Sequence, residues 1–198
     1  MRGDHYYLGE EDHCTFMGEY TARAGYSYSS TNQLISNFKK PVSARGTPQW
    51  RYKESAIQTV GLSLASCLGP WANEITLVPV PPSKCKTDRE YDDRLAQALN
   101  ICQRKIPDVE CRELVTQSLS TDAAHSSAHR PRPDELEAIY VVDEALLEGV
   151  RDTIIIVDDM LTTGCHFKAM EAVLRNYLPD HVIAGVFVAR RIPETDFL

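Results

Sequence analysis

Nothing in this chain is apolar for long enough to cross a bilayer. Its longest apolar runs, residues 153–157 and 182–189, fall far short of the roughly 20 residues that a spanning helix needs. No two of its six cysteines (Cys14, Cys67, Cys85, Cys102, Cys111 and Cys165) have the two-residue spacing of a zinc knuckle or a dithiol redox motif. Free thiols in a reducing compartment are therefore expected. An excess of basic residues is missing too: 21 Lys and Arg face 28 Asp and Glu, for a net charge of −7. That is a poor starting point for gripping a phosphate backbone, which takes clustered cations, although local basic patches stay open. The first residues, MRGDHYYLGEEDHC, are polar and acidic rather than basic and then apolar, unlike a secretory signal. A cytoplasmic protein is expected. No internal repeat is visible.

What is present fits an α/β fold. The chain has 198 residues, 43% of them hydrophobic, enough for the core of one domain. STNQLISNFKKP (residues 30–41) reads as a short helix capped by Ser30 or Thr31, with Leu34, Ile35 and Phe38 on one face and Pro41 ending it. Residues 53–68 place Ile57, Val60, Gly61, Leu64 and Leu68 on one helical stripe, stopped by Gly69-Pro70. Residues 75–80 form a buried strand whose exit is stiffened by Pro79, Pro81 and Pro82. A helix follows with Leu95, Ala98, Leu99 and Cys102 inward, and residues 111–116 read as a short strand. Residues 117–133, QSLSTDAAHSSAHRPRP, make a long polar loop, the only low-complexity stretch. The pattern then repeats: a strand at 153–157, a helix at 165–178 with Phe167, Met170, Val173, Leu174 and Tyr177 inward, and a strand at 182–189. Strands alternating with helices predict a central, mostly parallel sheet flanked by helices.

The most informative stretch is TIIIVDDMLTTGCHF, residues 153–167. Four apolar residues suit a central strand covered on both faces. Asp158 and Asp159 then fall where a parallel strand emerges, at the edge where α/β sheets hold ligands. Adjacent carboxylates repel, so they need partners. The hydroxyls of a ribose diol suit them, and a divalent cation would also relieve the repulsion. Thr162, Thr163 and Gly164 follow, between strand and helix. Backbone N–H groups at a helix start, two hydroxyls and a glycine that lets the backbone come close make a phosphate site. A plain strand followed by a capped helix would also contain acids at this point, but would not explain their order with Thr-Thr-Gly.

Residues 154–164 resemble the 5-phosphoribosyl 1-pyrophosphate (PRPP) signature of the type I phosphoribosyltransferase family. The resemblance implies that Asp158 and Asp159 hold ribose hydroxyls and serve catalysis, Asp159 by steadying positive charge on the ribose. It further implies that Met160, Leu161, Thr162, Thr163 and Gly164 hold the 5-phosphate. VPVPPSK stands where that family places a pyrophosphate loop, which assigns Pro82, Ser83 and Lys84 to pyrophosphate and its magnesium waters; a proline-rich surface turn is the plain alternative. Residues 117–133 match the family's flexible loop, with His129, Arg130 and Arg132 as candidate cations for the leaving group. The pair His125 and His129 is not expected to bind metal, because the segment does not look helical. The order LISNFKK, VPVPPSK, RPRPDEL, VDDMLTTG is most similar to the competence-protein-F-like branch, over most of residues 31–190, but without that branch's four-cysteine zinc finger.

By this resemblance residues 1–198 form one phosphoribosyltransferase-like domain, residues 1–50 being a small N-terminal hood. The implied activity is transfer of ribose 5-phosphate from PRPP, bound with Mg2+, to a small, nitrogenous acceptor, with release of pyrophosphate, by a homodimer. No direct protein ligand for magnesium is assigned beyond Asp158 and Asp159. Tyr20, Tyr26, Tyr28 and the ARRIPETDFL tail are candidates for the acceptor, against ordinary packing for the tyrosines. Asp88, Asp92, Asp93 and Arg94 suit either a magnesium or acceptor contact or a capped helix start. The competing function is a PRPP or nucleotide sensor without turnover, acting through a protein or nucleic-acid partner.

Overall fold

The computed structural model describes residues 4–121 and 131–192. Strands β1 (His13–Phe16) and β2 (Glu19–Thr21) come first, then helices α1 (Ser30–Phe38) and α2 (Trp50–Leu68), strand β3 (Ile75–Pro79) and helix α3 (Arg94–Lys105). Strands β4 (Glu110–Cys111) and β5 (Val115–Gln117), helix α4 (Pro133–Glu137) and strand β6 (Tyr140–Val142) follow. Strand β7 (Thr153–Leu161), helix α5 (Cys165–Arg175) and strand β8 (Val182–Ile192) end the described chain.

The main sheet is parallel throughout, in the order β1-β8-β7-β3-β4, with β2 on β8 beyond β1. The expected α/β architecture is therefore present. The first 50 residues do more than cover the sheet, because β1 and β2 extend it along the edge of β8. The predicted strand at 111–116 divides instead. Glu110 and Cys111 pair with β3, while Val115–Gln117 leaves to form an antiparallel ribbon with β6.

Central position dictates the composition of β7. Ile154, Ile156 and Val157 are fully buried, and each such side chain contributes about 1.5–3 kcal/mol on leaving water. Helix α5 adds Phe167, Met170 and Leu174 to the same hydrophobic core. Tyr177, expected inward, is 44% exposed, because the helix ends at Arg175 and no longer carries its period. The cap of α1 is Ser29, one residue before the expected Ser30, its hydroxyl accepting from the Asn32 N–H at 3.0 Å. Asn32 is itself buried and bonds both the N–H and the carbonyl of Thr21, fastening α1 to β2.

The ligand edge arises from proline chemistry. β3 pairs with β7 as far as Pro79 opposite Val157, and the last bond runs from the Val80 N–H to the Val157 carbonyl, 2.9 Å. Pro81 and Pro82 have no N–H with which to continue. β7 carries on alone beside β8 as far as Leu161. Asp158 and Asp159 thus lie within the strand rather than just beyond it, with one flank open. From β3 the chain crosses to β4 on one side, and from β7 to β8 on the other. The opening falls where the strand order reverses, the place where open α/β sheets bind ligands.

Candidate functional site

A cleft of about 450 Å³ occupies this point. Asp158, Asp159, Met160, Thr162 and Thr163 line one side, and Pro82, Ser83 and Lys84 the other. Segments some 75 residues apart in sequence are brought together. Leu161 is not part of the lining. It is 4% exposed and belongs to the hydrophobic core. Gly164 acts through its backbone, with φ +86 at the start of α5. A Cβ there would come within 2.7 Å of the Leu8 side chain.

The Thr-Thr-Gly turn is supported from beneath by the N-terminal segment. The Tyr7 N–H donates to the Thr163 carbonyl at 3.0 Å, and His5 Nδ1 bonds the Thr162 carbonyl. Both carbonyls are thereby occupied away from the cleft. Thr163 Oγ1 accepts from the Cys165 N–H at 3.4 Å. The first-turn N–H groups of α5 and the Thr162 hydroxyl suit an oxyanion.

The two acids differ sharply. Asp159 is 3% exposed and gripped through both oxygens. Lys39 Nζ lies 2.8 Å from Oδ1, and Arg94 donates to Oδ2 through Nη2 at 2.6 Å and Nε at 3.1 Å. Burial pushes its pKa up, but Lys39 and Arg94 outweigh that and hold it well below the usual carboxylate range. Arg94 also donates to Asp92 at 2.7 Å, and buried Lys53 meets the same Asp92 oxygen at 2.7 Å. Lys53 further bonds the carbonyls of Phe38 and Lys40. Asp158 has no such partner: its Oδ1 accepts the Asp159 N–H at 2.7 Å, and no ion pair reaches it among the described residues. Burial, then the neighbouring Asp159, raise its pKa.

The Pro-Pro-Ser-Lys loop is held by tethers from the β5 side. The Ser83 carbonyl accepts from Gln117 Nε2 at 2.8 Å and from the Thr121 N–H at 2.7 Å. The Cys85 N–H donates to Ser120 Oγ, 3.1 Å, and that hydroxyl donates to Asp88 at 2.7 Å. Lys84 lines the cleft with no ion pair among the described residues. Asp88 is thus a loop tether, and Asp92 and Arg94 are members of the charge network. Asp93 precedes α3 and accepts from Gln97 rather than capping the helix backbone.

Other expected residues stand elsewhere. Arg132 is on the surface, paired with Asp134 at 2.7 Å, outside the cleft lining. A Pro-Asp-Glu helix start directly after it supplies acids that draw it away. Arg130, His125 and His129 lie outside the described residues. Tyr20, Tyr26 and Tyr28 do not line the cleft; Tyr26 and Tyr28 are exposed, Tyr26 accepting from Gln33. Of the tail, Arg191 lines the cleft. The six cysteines are free, and burial pushes the Cys165 thiol up to about 12.

Sequence reasoning passed over Lys39, Lys53, Tyr140 and His166. Lys53 carried a signal: it lies four residues before Ile57 and seven before Val60, on the apolar stripe of α2. A lysine there is buried only against partners. Among the described residues no group of three or more His, Cys, Asp or Glu side chains could hold a metal ion, and no helix is long and apolar enough to cross a membrane. Compared with models of known protein families and with curated proteins, the chain matches none.

Proposed function

We propose that this protein is a phosphoribosyltransferase of the type I fold, transferring ribose 5-phosphate from PRPP to a nitrogenous small-molecule acceptor and releasing pyrophosphate. One observation carries the reading: a carboxylate pair, a Thr-Thr-Gly turn at a helix start and a Pro-Pro-Ser-Lys loop converge on one cleft at the switch point of a parallel sheet. The spacing of chemistries suits a sugar diol between two phosphate groups. Asp158 accepts from the ribose hydroxyls, the Thr-Thr-Gly turn takes the 5-phosphate, and Ser83 with Lys84 takes the pyrophosphate. Asp159, ionised by its two cations, provides fixed negative charge where the anomeric carbon becomes positive. Magnesium fits as an ion carried by the pyrophosphate. Among the described residues Asp158, Asp93 and Glu90 line the cleft without an ion pair, and no group of three His, Cys, Asp or Glu side chains forms a metal cage.

The grip on Asp159 favours a second reading, a PRPP-binding regulator without turnover. Both oxygens of Asp159 are already engaged by Lys39 and Arg94. Titration with PRPP, with and without Mg2+, and an acceptor-dependent assay of pyrophosphate release separate the two. Magnesium-dependent binding with release supports the transferase, and saturable binding without release supports the regulator. Absence of binding would overturn both.

A further inference from the structure

His166 belongs to no motif assigned above, yet it lines the cleft together with Asp158, at the second position of α5. Its Nδ1 is 2.9 Å from the Tyr140 hydroxyl. Tyr140 is 6% exposed, and burial, followed by the negative charge of Asp158, pushes its pKa well above 10. The hydroxyl therefore keeps its proton. A buried O–H needs an acceptor, and among the described residues His166 Nδ1 is the one that Tyr140 meets. The tyrosine must donate, so Nδ1 of the neutral ring is the bare nitrogen and Nε2 carries the hydrogen. Nε2 itself has no partner among the described residues. A ring pinned at Nδ1 to buried Tyr140 of β6 presents its other edge to the cleft.

We propose that His166 is a ligand-contacting residue whose Nε2–H donates to a phosphate monoester of the bound sugar phosphate, with Tyr140 as the positioning residue that fixes the tautomer. The ligand class rests on the sugar-phosphate reading of the cleft. A neutral donor suits this position. It adds a hydrogen bond to an anion already served by Thr162, Thr163 and the helix start, and needs no counter-charge when the site is empty. A ring carrying its hydrogen on Nδ1 would present a lone pair and repel the same oxygen.

The test uses the whole chain and two probes, ribose 5-phosphate and inorganic phosphate. Long-range nitrogen–proton NMR spectra of the wild-type imidazoles should show His166 as the Nε2–H tautomer, and ribose 5-phosphate should shift that nitrogen. Tyr140→Phe should release the single tautomer. His166→Ala should weaken ribose 5-phosphate binding about tenfold, the loss typical of a hydrogen bond to a charged group. His166→Gln, whose amide reaches the Nε2 position, should recover most of the loss, and His166→Asn should not. A response to ribose 5-phosphate and not to inorganic phosphate would tie the contact to the sugar-borne group; an equal response to both would still support the phosphate contact. An Nδ1–H tautomer, an unshifted His166 resonance under saturating ribose 5-phosphate, or wild-type affinity in His166→Ala would overturn the proposal. Failure of the transferase reading looks different: wild-type protein would then release no pyrophosphate from Mg-PRPP with any acceptor, whatever His166 does.

Discussion

The two walls of the cleft are made in opposite ways. The β7–α5 wall comes from one continuous stretch, residues 158–166, in which strand end, turn and helix start follow in order. The β3–α3 wall is assembled. Lys39 follows α1, Lys53 comes from α2, Asp92 and Arg94 from the start of α3, and the Ser83 loop is tied to Gln117 and Thr121. One wall uses backbone geometry to make a site. The other uses buried charge pairs to hold a site in place. Substitutions in the assembled wall should therefore act first on stability, and substitutions in the continuous wall first on ligand binding.

The largest effect is expected where the assembled wall is densest. Arg94→Met takes a cation from Asp92 and Asp159 together, leaving each with a single lysine. Breaking a buried pair costs about 3–5 kcal/mol. Because Lys39 and Lys53 remain, the lower end, about 3 kcal/mol, should appear as a fall in the urea midpoint. A loss below about 1 kcal/mol would place the network in the class of exposed ion pairs and erase the contrast between the walls.

The adjacent acids sharpen the comparison, since they belong one to each scheme. Asp158→Asn should weaken Mg-PRPP binding at least tenfold, as removal of a charged hydrogen-bond partner costs about 1.5–3 kcal/mol. It should leave stability at neutral pH unchanged or improved, because burial already disfavours the charged Asp158. Asp159→Asn should destabilise. The pH dependence has opposite signs for the two. The folded-state pKa of Asp159 lies below its unfolded value, so its contribution is full above the ordinary carboxylate range, begins to fall within that range and is lost as the pH drops on through the lower folded-state pKa. The folded-state pKa of Asp158 is raised, so its ionisation opposes folding at neutral pH and the penalty is relieved on acidification. Thermal melts from pH 7 to pH 3 should show a shallower acid decline in Asp159→Asn and a steeper one in Asp158→Asn.

Legibility followed the same division. The continuous wall could be read residue by residue, because strand, acids, turn and helix impose their requirements within eleven positions. Even there the reading placed Leu161 in the site, whereas its side chain is buried in the hydrophobic core, which a run of motif letters does not reveal. The strands and helices flanking the cleft were legible from their periodicity, and Pro81-Pro82 marked where β3 must leave the sheet. The partners of Asp159 were not legible. Lys39 and Arg94 lie 120 and 65 residues away, and only the packing of α1 against α2 and of α3 against the sheet brings them together. Arg132 shows the reverse case: its charge suggested pyrophosphate, and in the structure it is paired with Asp134 outside the cleft lining.

Gly164 tests whether the continuous wall depends on backbone geometry as stated. Its φ of +86 is in the left-handed region, and a methyl group would also press on Leu8. Gly164→Ala should cost about 1–2 kcal/mol from the left-handed conformation. The larger consequence should be functional, because a shifted turn misplaces the N–H groups aimed at phosphate. Ribose 5-phosphate affinity should fall by more than the thermal melt alone would suggest. Equal affinity would mean that the phosphate is held by side chains and not by the turn.

The smallest effect should come from the tether between the walls. Gln117 stands opposite Tyr140 in the β5–β6 ribbon. Gln117 donates to the Ser83 carbonyl of one loop, and Tyr140 bonds His166 beside the other. Gln117→Leu keeps the buried volume and removes the donor, which should cost about 1 kcal/mol. Thr121 still donates to the same carbonyl, so the loop should loosen and not detach. Hydrogen exchange of amides 83–88 should quicken while those of β7 and α5 stay unchanged, and binding of pyrophosphate should weaken more than binding of ribose 5-phosphate. If both ligands weaken equally, the ribbon couples the walls as one body. If only pyrophosphate weakens, each wall holds its own end of the ligand, and the ribbon serves only to set their distance.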